Sequence, residues 1–291
     1  MGLPNGITYM HEHITIDLSG IKKDLDCRLD TMEETIEELK GLKTQGVSNI
    51  VDVTNRGMGR NVEFILKVKQ ETGINIITST GYYKEPFLPS EVYELSEKEI
   101  AGIMIKEIVN GIDGTDIKAE VIGEVGTGQG AISPAEKKVF WAASAAHVET
   151  GKPITTHTTL GTLGLEQIEI FKSCGVDLNK VIIGHVDLSG DIEYILRLID
   201  TGVYVGLDTI GKVNYMTEAK RLKILQEICR RGLSSRVVMS MDITRKSHLK
   251  SRGGLGYGYL LENFIPYVKK NGIEQKDIDI MLVANPRDIL T

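Results

Sequence analysis

The chain has 291 residues, of which 41% are hydrophobic and 25% are charged, and its formal net charge is −6. This composition is typical of a globular protein in water, and it lacks the basic surplus that nucleic-acid binding requires. No apolar run reaches the ~18 residues needed to cross a bilayer, and no basic segment with an apolar stretch after it opens the chain. We therefore expect a cytoplasmic protein with neither a nucleic-acid nor a membrane partner.

Short β-branched runs alternate with amphipathic segments along the chain, which is typical of β-α units that build a parallel sheet. A long loop follows the first strand and leads to a helix that opens at Asp30 or Thr31. The eight strands are predicted at Ile7–Met10, Val47–Val53, Ile74–Thr78, Lys118–Gly123, Pro153–Thr156, Val181–Gly184, Val203–Leu207 and Arg236–Ser240. The later helices are predicted at Asn61–Thr72, Ser96–Gly111, Pro134–Thr150, from Gly164 or Leu165 to Cys174, and at Asp191–Thr201, Thr217–Arg231, Tyr259–Lys270 and Gln275–Leu282.

Eight such units of roughly 35 residues predict an α/β fold of the (β/α)8 TIM-barrel type. No linker or low-complexity segment divides the chain, so we expect residues 1–291 to form a single domain. An open, doubly wound sheet is the alternative. It is disfavoured because no Gly-x-Gly-x-x-Gly pattern follows the first strand.

Four of the six histidines fall at predicted strand ends. His11 and His13 are two residues apart, so on a strand their side chains point to one face with Cβ atoms roughly 6.5–7 Å apart. His157 and His185 come just after the fifth and sixth strands, while Glu124 and Asp242 follow the fourth and eighth. In a barrel all these strand ends meet at one face, which predicts that the six side chains converge there.

Neutral imidazole and carboxylate are the preferred ligands of Zn²⁺ and similar ions, so the convergence predicts a metal site. Any one of these histidines, taken singly, is more typical of a hydrogen-bonded core or loop residue than of a metal ligand. Six ligands exceed what one catalytic zinc with an open position needs. They suit two ions that share a bridging carboxylate and a bridging water.

The segments Met10-His11-Glu12-His13, Thr155-Thr156-His157-Thr158, Gly184-His185 and Asn285-Pro286, together with Glu124 and Asp242, resemble the phosphotriesterase family of the amidohydrolase superfamily. The resemblance covers the whole chain and implies two divalent ions, with Zn²⁺ expected. It implies that His11, His13 and Asp242 hold the more buried ion and that His157 and His185 hold the more exposed one. Glu124 would contact both, and Asp242 would also act as the base.

One position departs from the family pattern. Phosphotriesterases and related lactonases carry a carboxylated lysine at the end of the fourth strand, where this chain has Glu124. Lys118 cannot replace it, because six residues at about 3.3 Å per residue place it some 20 Å away. A glutamate here is similar to one branch of the family, and it has the same single charge as the carbamate.

Specificity is expected in the loops at this face. Arg245 is a candidate clamp for a carboxylate or phosphate, and His248 is a candidate for orienting a substrate. Tyr82, Tyr83 and Arg56 are candidate pocket walls. The alternative for the charged residues is an ordinary solvated loop.

The sequence thus predicts a metal-dependent hydrolase that uses an activated bridging hydroxide against a small-molecule ester, lactone or phosphoester. One alternative is a metal-free barrel aldolase or isomerase, which predicts an isolated catalytic lysine at a strand end, and none of the predicted strand ends has one. A non-catalytic metal-binding barrel is another. The oligomeric state is open between monomer and homodimer.

Overall fold

The barrel has eight parallel strands in a computed structural model that describes residues 2–291. The eight strands are hydrogen-bonded to one another in the order in which they occur along the chain. Across the remaining seam, the backbone N–H of His11 donates to Oγ of Ser240 at 2.8 Å, which joins the first strand to the end of the last. The predicted (β/α)8 TIM barrel is confirmed. Its strands are β1 (Ile7–Glu12), β4 (Val47–Asp52), β5 (Asn75–Thr80), β6 (Val121–Thr127), β7 (Ile154–Thr158), β8 (Val181–Ile183), β9 (Tyr204–Leu207) and β10 (Val237–Met239), and a small antiparallel pair, β2 (Ile16–Asp17) and β3 (Arg28–Leu29), lies in the first loop.

Helices alternate with the strands of the barrel. They are α1 (Ser19–Lys22), α2 (Met32–Thr44), α3 (Val62–Thr72), α4 (Ser90–Glu94), α5 (Glu97–Val109), α6 (Pro134–Thr150), α7 (Gly164–Ser173), α8 (Ile192–Asp200), α9 (Glu218–Arg230), α10 (Ile265–Lys270), α11 (Gln275–Asp279) and α12 (Asn285–Leu290). The start of α6 follows its sequence signals, because Ser133 and Glu136 form a reciprocal capping box and Pro134 occupies the first turn. Gly151 ends this helix with φ of 68°. In the described part of the chain, no helix is both long enough and apolar enough to span a bilayer.

Several elements differ from the sequence prediction. The fourth barrel strand, β6, runs on to Thr127 and the fifth, β7, to Thr158, so Glu124 and His157 lie within their strands and not after them. The predicted helix Gln275–Leu282 is α11 followed by a π-helical segment at Ile280–Ala284, and α12 continues beyond its predicted end. The short helix α4 was not predicted, because its five residues offer too little periodicity.

Two apolar clusters stabilise the barrel. The larger one lies between the strands and the surrounding helices. The smaller one takes residues from strands on all sides of the barrel and therefore fills its interior, and Ile289 of α12 packs into it. Its buried members are Met10, Val51, Val53, Ile77, Val121, Ile182, Tyr204, Val238 and Ile289.

Candidate metal centre

The end of β1 supplies side chains to both of its faces. His11 and His13 are buried, and their ring centroids are 5.8 Å apart. Glu12 lies between them and points away, as the pleat of a strand requires. Its carboxylate accepts hydrogen bonds from the backbone N–H groups on either side of Asp242, at 2.6 and 3.0 Å. The first strand therefore contributes two of the predicted ligands and also fixes the backbone that carries a third.

Glu124 of β6 is at the centre of the site. Its carboxylate oxygens lie 3.5 Å from Nε2 of His11, 3.5 Å from Nε2 of His13, 3.4 Å from Nδ1 of His157 and 3.7 Å from Nε2 of His185. The Glu124 side chain is only 3% exposed, so its charge is compensated by neighbouring protein groups rather than by bulk water. One carboxylate thus faces all four strand-end histidines.

Asp242 completes the ring after β10. Its Oδ1 lies 3.4 Å from Nε2 of His13 and 3.8 Å from Nε2 of His11. The backbone φ is 53° at Asp242 and 58° at His185. Both values lie in the left-handed region, which is unfavourable for residues other than glycine. At these two strand ends the chain turns sharply, and the turn directs each side chain into the site.

Neighbouring side chains orient the histidines. Asp208 accepts the backbone N–H of His185 at 2.9 Å, and its Oδ1 is 2.7 Å from the Nδ1 of the same residue. Thr54 Oγ1 is 2.7 Å from His13 Nδ1, and the Tyr83 hydroxyl is 3.2 Å from His157 Nδ1. These contacts fix the ring orientations, as outer partners of metal-binding histidines do.

The electrostatics of the cluster depend on burial and on the two central carboxylates. Burial opposes the charged form of His13, but Asp242 and Glu124 raise its pKa to about 9. Burial lowers the pKa of His157 to about 4, against the attraction of Glu124. For Glu124 itself, burial is outweighed by the surrounding histidines, so its pKa falls well below the usual value. Glu124 is therefore ionised near neutral pH and attracts cations.

The residues present fit divalent metal ions. His11, His13 and Asp242 offer donor atoms within 4.8 Å of one another, and so do His11, Glu124 and His185. Within residues 2–291, both ring nitrogens of His11 and Oε2 of Glu124 are buried without a hydrogen-bond partner. Such groups are costly to bury unless something binds them, and imidazole and carboxylate are zinc-type donors.

A cavity of about 560 Å³ opens over the cluster. Arg245 and His248 line it, and their roles towards a substrate stay predictions; Arg245 Nη1 is already 2.8 Å from Oδ2 of Asp24. Tyr82 does not line it, which contradicts its prediction as a substrate residue. Its ring packs beside Arg56, with the guanidinium carbon 5.9 Å from the ring centroid. Tyr83, one residue later, faces the cavity instead.

Arg56 also lies away from this cavity, because its guanidinium is paired elsewhere. It donates to Glu91 at 2.9 Å and to Glu107 at 3.0 Å, on the outer side of the barrel. Its prediction as a pocket wall is therefore wrong for the cavity over the histidines.

Two residues of the site were missed in the sequence. Asp208 directly follows β9, so an acidic residue after a strand was a signal that could have identified it. Lys212 lies four residues further along, in a loop, and its Nζ contacts Oδ2 of Asp242. No local sequence pattern predicts that Lys212 contacts Asp242. Burial opposes ionisation of Asp242, but Lys212 and the histidines hold its pKa well below the usual value.

A parallel (β/α)8 barrel with histidines and carboxylates converging at the carboxyl ends of its strands defines a class of metal-binding barrels. Residues 3–290 match the model of the phosphotriesterase family, and the chain belongs to this family. The resemblance predicted from the sequence is thereby confirmed. Enzymes of the family are hydrolases that act on small molecules and use a binuclear metal centre.

Individual relatives agree with this assignment. Phosphotriesterase homology protein of Escherichia coli (strain K12) is 50% identical over 283 residues, which is 97% of each chain. Its crystal structure, complexed with phosphate in the active site, gives a TM-score of 0.98 over 99% of each chain. The N-acetyltaurine hydrolase of Dictyostelium discoideum is 37% identical over 276 residues, covering 91% of this chain and 74% of that protein. The lactonase Lmo2620 from Listeria monocytogenes is 29% identical, with a TM-score of 0.94 over 99% of this chain and 95% of that one.

Proposed function

We propose that this chain is a metal-dependent hydrolase with a binuclear, zinc-type centre that cleaves an ester, lactone or phosphoester. The observation that carries the proposal is the position of Glu124, whose carboxylate lies within 3.7 Å of four histidine nitrogens. A carboxylate with two oxygens can contact two cations at once. Predictions of a single domain over residues 1–291 and of a cytoplasmic location stay predictions.

The resemblance to the family implies that the ligands divide between two ions. His11, His13 and Asp242 would hold the more buried ion, and the two histidine side chains are 2% and 1% exposed. His157 and His185 would hold the more exposed one, and the His157 side chain is 15% exposed towards the cavity. Glu124 would contribute an oxygen to each.

The chemistry divides between the ions and the chain. When bound, two divalent ions supply an activated water and polarise the electrophilic oxygen of the substrate. Asp242 accepts or shuttles the proton, because it faces the cavity and its low pKa keeps it ionised. Asp208 keeps His185 in one orientation, and Glu12 holds the backbone on both sides of Asp242.

The metal-free alternative is disfavoured by the surroundings of Lys212. This alternative requires an isolated lysine at a strand end. Lys212 lies in a loop and contacts Asp242, so it is not isolated. A second candidate, hydrolysis of an N-acyl amide at the same site, is supported by the similarity to N-acetyltaurine hydrolase.

Metal analysis combined with a substrate panel tests the proposal. After metal-replete expression, we expect close to two divalent ions per chain, together with hydrolysis of at least one lactone, carboxyl ester, phosphodiester, phosphotriester or N-acyl amide. Fewer than one ion per chain would contradict the binuclear centre. Two ions with no turnover on a broad panel would favour the non-catalytic metal-binding barrel.

The variant Glu124→Lys tests the bridging position directly. A lysine here can become a bridging ligand only after it reacts with CO₂, so we expect metal loading that rises with dissolved bicarbonate. The wild-type protein is the control and should load equally with or without bicarbonate. Metal loading of the variant that does not depend on bicarbonate would exclude Glu124 as the bridge.

A further inference from the structure

Four cationic side chains line the cavity over the histidines: Lys22, Lys84, Lys212 and Arg245. Two of them have carboxylate partners, since Lys212 contacts Asp242 and Arg245 lies 2.8 Å from Asp24. Within residues 2–291, neither Lys22 nor Lys84 has a carboxylate oxygen within 4.0 Å of its Nζ. The cavity therefore contains two cations whose charge the protein leaves uncompensated at close range.

Lys22 and Lys84 lie around one aromatic ring. The Nζ atoms are 5.8 Å and 5.5 Å, respectively, from the ring centroid of Phe87, and Lys84 is also 5.4 Å from the ring of Tyr83. Lys84 is half-buried, and its Nζ donates only a long hydrogen bond of 3.3 Å to the backbone oxygen of Glu85. Burial lowers the pKa of Lys84; the charges of Glu136 and Glu124 oppose this shift, and the charge of Lys22 adds a smaller lowering. The two ammonium groups therefore repel each other, and an anion bound at the same ring would relieve that repulsion.

The lysine pair is close to the catalytic cluster. Tyr83, which precedes Lys84, has its hydroxyl 3.2 Å from Nδ1 of His157. The charge of Lys84 also contributes to the lowered pKa of His157. His157 belongs to the more exposed side of the centre, so an anion at the lysines would lie beside the reacting bond and not on it.

We propose that the substrate carries an anionic group, separate from the bond that is hydrolysed, which binds between Lys22 and Lys84 against Phe87. A carboxylate, a sulfonate and a phosphate monoester share the required chemistry, because each presents oxygen acceptors to two ammonium groups. The phenyl ring supports the carbon next to the anion. This inference rests on the proposed hydrolase function, and it makes the expected substrate a charged ester, lactone or amide instead of a neutral one.

A pair of chromogenic esters tests the proposal by turnover. Mono(4-nitrophenyl) glutarate has a free carboxylate that 4-nitrophenyl pentanoate lacks, while the acyl chains are of equal length. We expect the wild-type protein to favour the glutarate ester by about tenfold or more in kcat/KM, as one charge-assisted hydrogen bond provides. Lys84→Met should remove most of this preference, mainly through KM. Lys22→Met should remove less, because Lys22 is exposed.

The matched control is Lys98→Met. Lys98 is an exposed lysine on α5, outside the cavity lining, so its loss changes the net charge equally without touching the site. It should keep the wild-type preference. An unchanged preference in the Lys22→Met/Lys84→Met double variant, with a normal unfolding temperature, would overturn the proposal.

A binding measurement separates this proposal from the hydrolase function. Calorimetric titration with glutarate, propane-1-sulfonate or methyl phosphate, each against neutral pentan-1-ol, requires no turnover and ranks the three head groups. We expect at least one anion to bind the metal-loaded wild-type protein about tenfold more tightly than the double variant. If each of the three anions binds the wild-type protein and the double variant with the same affinity, the anion site is contradicted. Selective anion binding without hydrolysis of any ester would leave the anion site standing and count against the hydrolase.

Discussion

The two ends of the barrel are built on the same strands but bury different kinds of side chain. At the amino-terminal end, side chains such as Val121, Ile182 and Val238 fill the interior with apolar contacts, and the last helix covers them. At the carboxyl end, the interior contains histidines and carboxylates that are also largely buried, and several of their polar atoms lack a hydrogen-bond partner. The comparison shows that a buried region stabilises the fold only where its side chains have apolar contacts or hydrogen-bond partners. One end stabilises the fold, and the other end is poised to bind ions.

The largest expected effect at the carboxyl end is that of Asp242→Asn. The amide binds a cation poorly and cannot accept a proton, so kcat/KM should fall by roughly 10²–10⁴-fold on any substrate that the wild-type protein hydrolyses. Steady-state kinetics, together with metal analysis and an unfolding curve, would measure this. A variant that keeps a tenth of the activity would show that Asp242 is not the base.

At the opposite end, Ile182→Ala should affect stability and not chemistry. Ile182 is 2% exposed, and its truncation leaves a cavity that costs about 2–5 kcal/mol in the free energy of unfolding. Urea unfolding measures the loss, and metal content should stay at the wild-type value. Leu25→Ala is the control, since Leu25 is 76% exposed. Loss of metal from folded Ile182→Ala would break the proposed separation of the two ends.

A smaller effect is expected from Asp208→Asn, which changes the residue that orients His185. Loss of the carboxylate should weaken binding of the more exposed ion by about 10–100-fold, as outer partners of histidine ligands do. Competition with a chromogenic chelator would measure the affinity, with Asp200→Asn at the exposed end of α8 as the control. Unchanged affinity for both ions would mean that the 2.7 Å contact is only structural.

The smallest expected effect is the contribution of His248 to the pH dependence of the free energy of unfolding. Burial lowers its pKa to about 4, with help from the nearby charge of Lys212, whereas an unfolded histidine titrates near 6.5. The unfolded chain therefore binds the proton more readily, and stability falls as the pH drops from about 6.5 towards 4. Between pH 7 and pH 5 the wild-type protein should lose about 1–2 kcal/mol more than His248→Gln. If the free energy of unfolding falls equally with pH in the two proteins, a group other than His248 causes the pH dependence.

The sequence predicted the barrel because strand and helix signals alternate regularly and because caps such as Ser133 and Gly151 act locally. It predicted that Glu124 and the four histidines come together because the carboxyl ends of parallel strands converge, but it did not predict that Glu124 lies inside its strand. Side-chain direction beyond a strand was not predictable, and for this reason both Tyr82 and Tyr83 were candidate pocket walls, although of the two it is Tyr83 that faces the cavity. Lys212 reaches the site through the path of a loop, which tertiary contacts determine and local pattern does not.

The left-handed backbone at His185 and Asp242 has a consequence for protein engineering. A redesign that optimises each residue for its own backbone would replace both with glycine or asparagine, which tolerate this conformation best. Each replacement would relieve local strain while removing a proposed ligand. Selection for thermostability alone should therefore enrich substitutions at these two positions, and a library screened for both stability and metal content should retain the original pair.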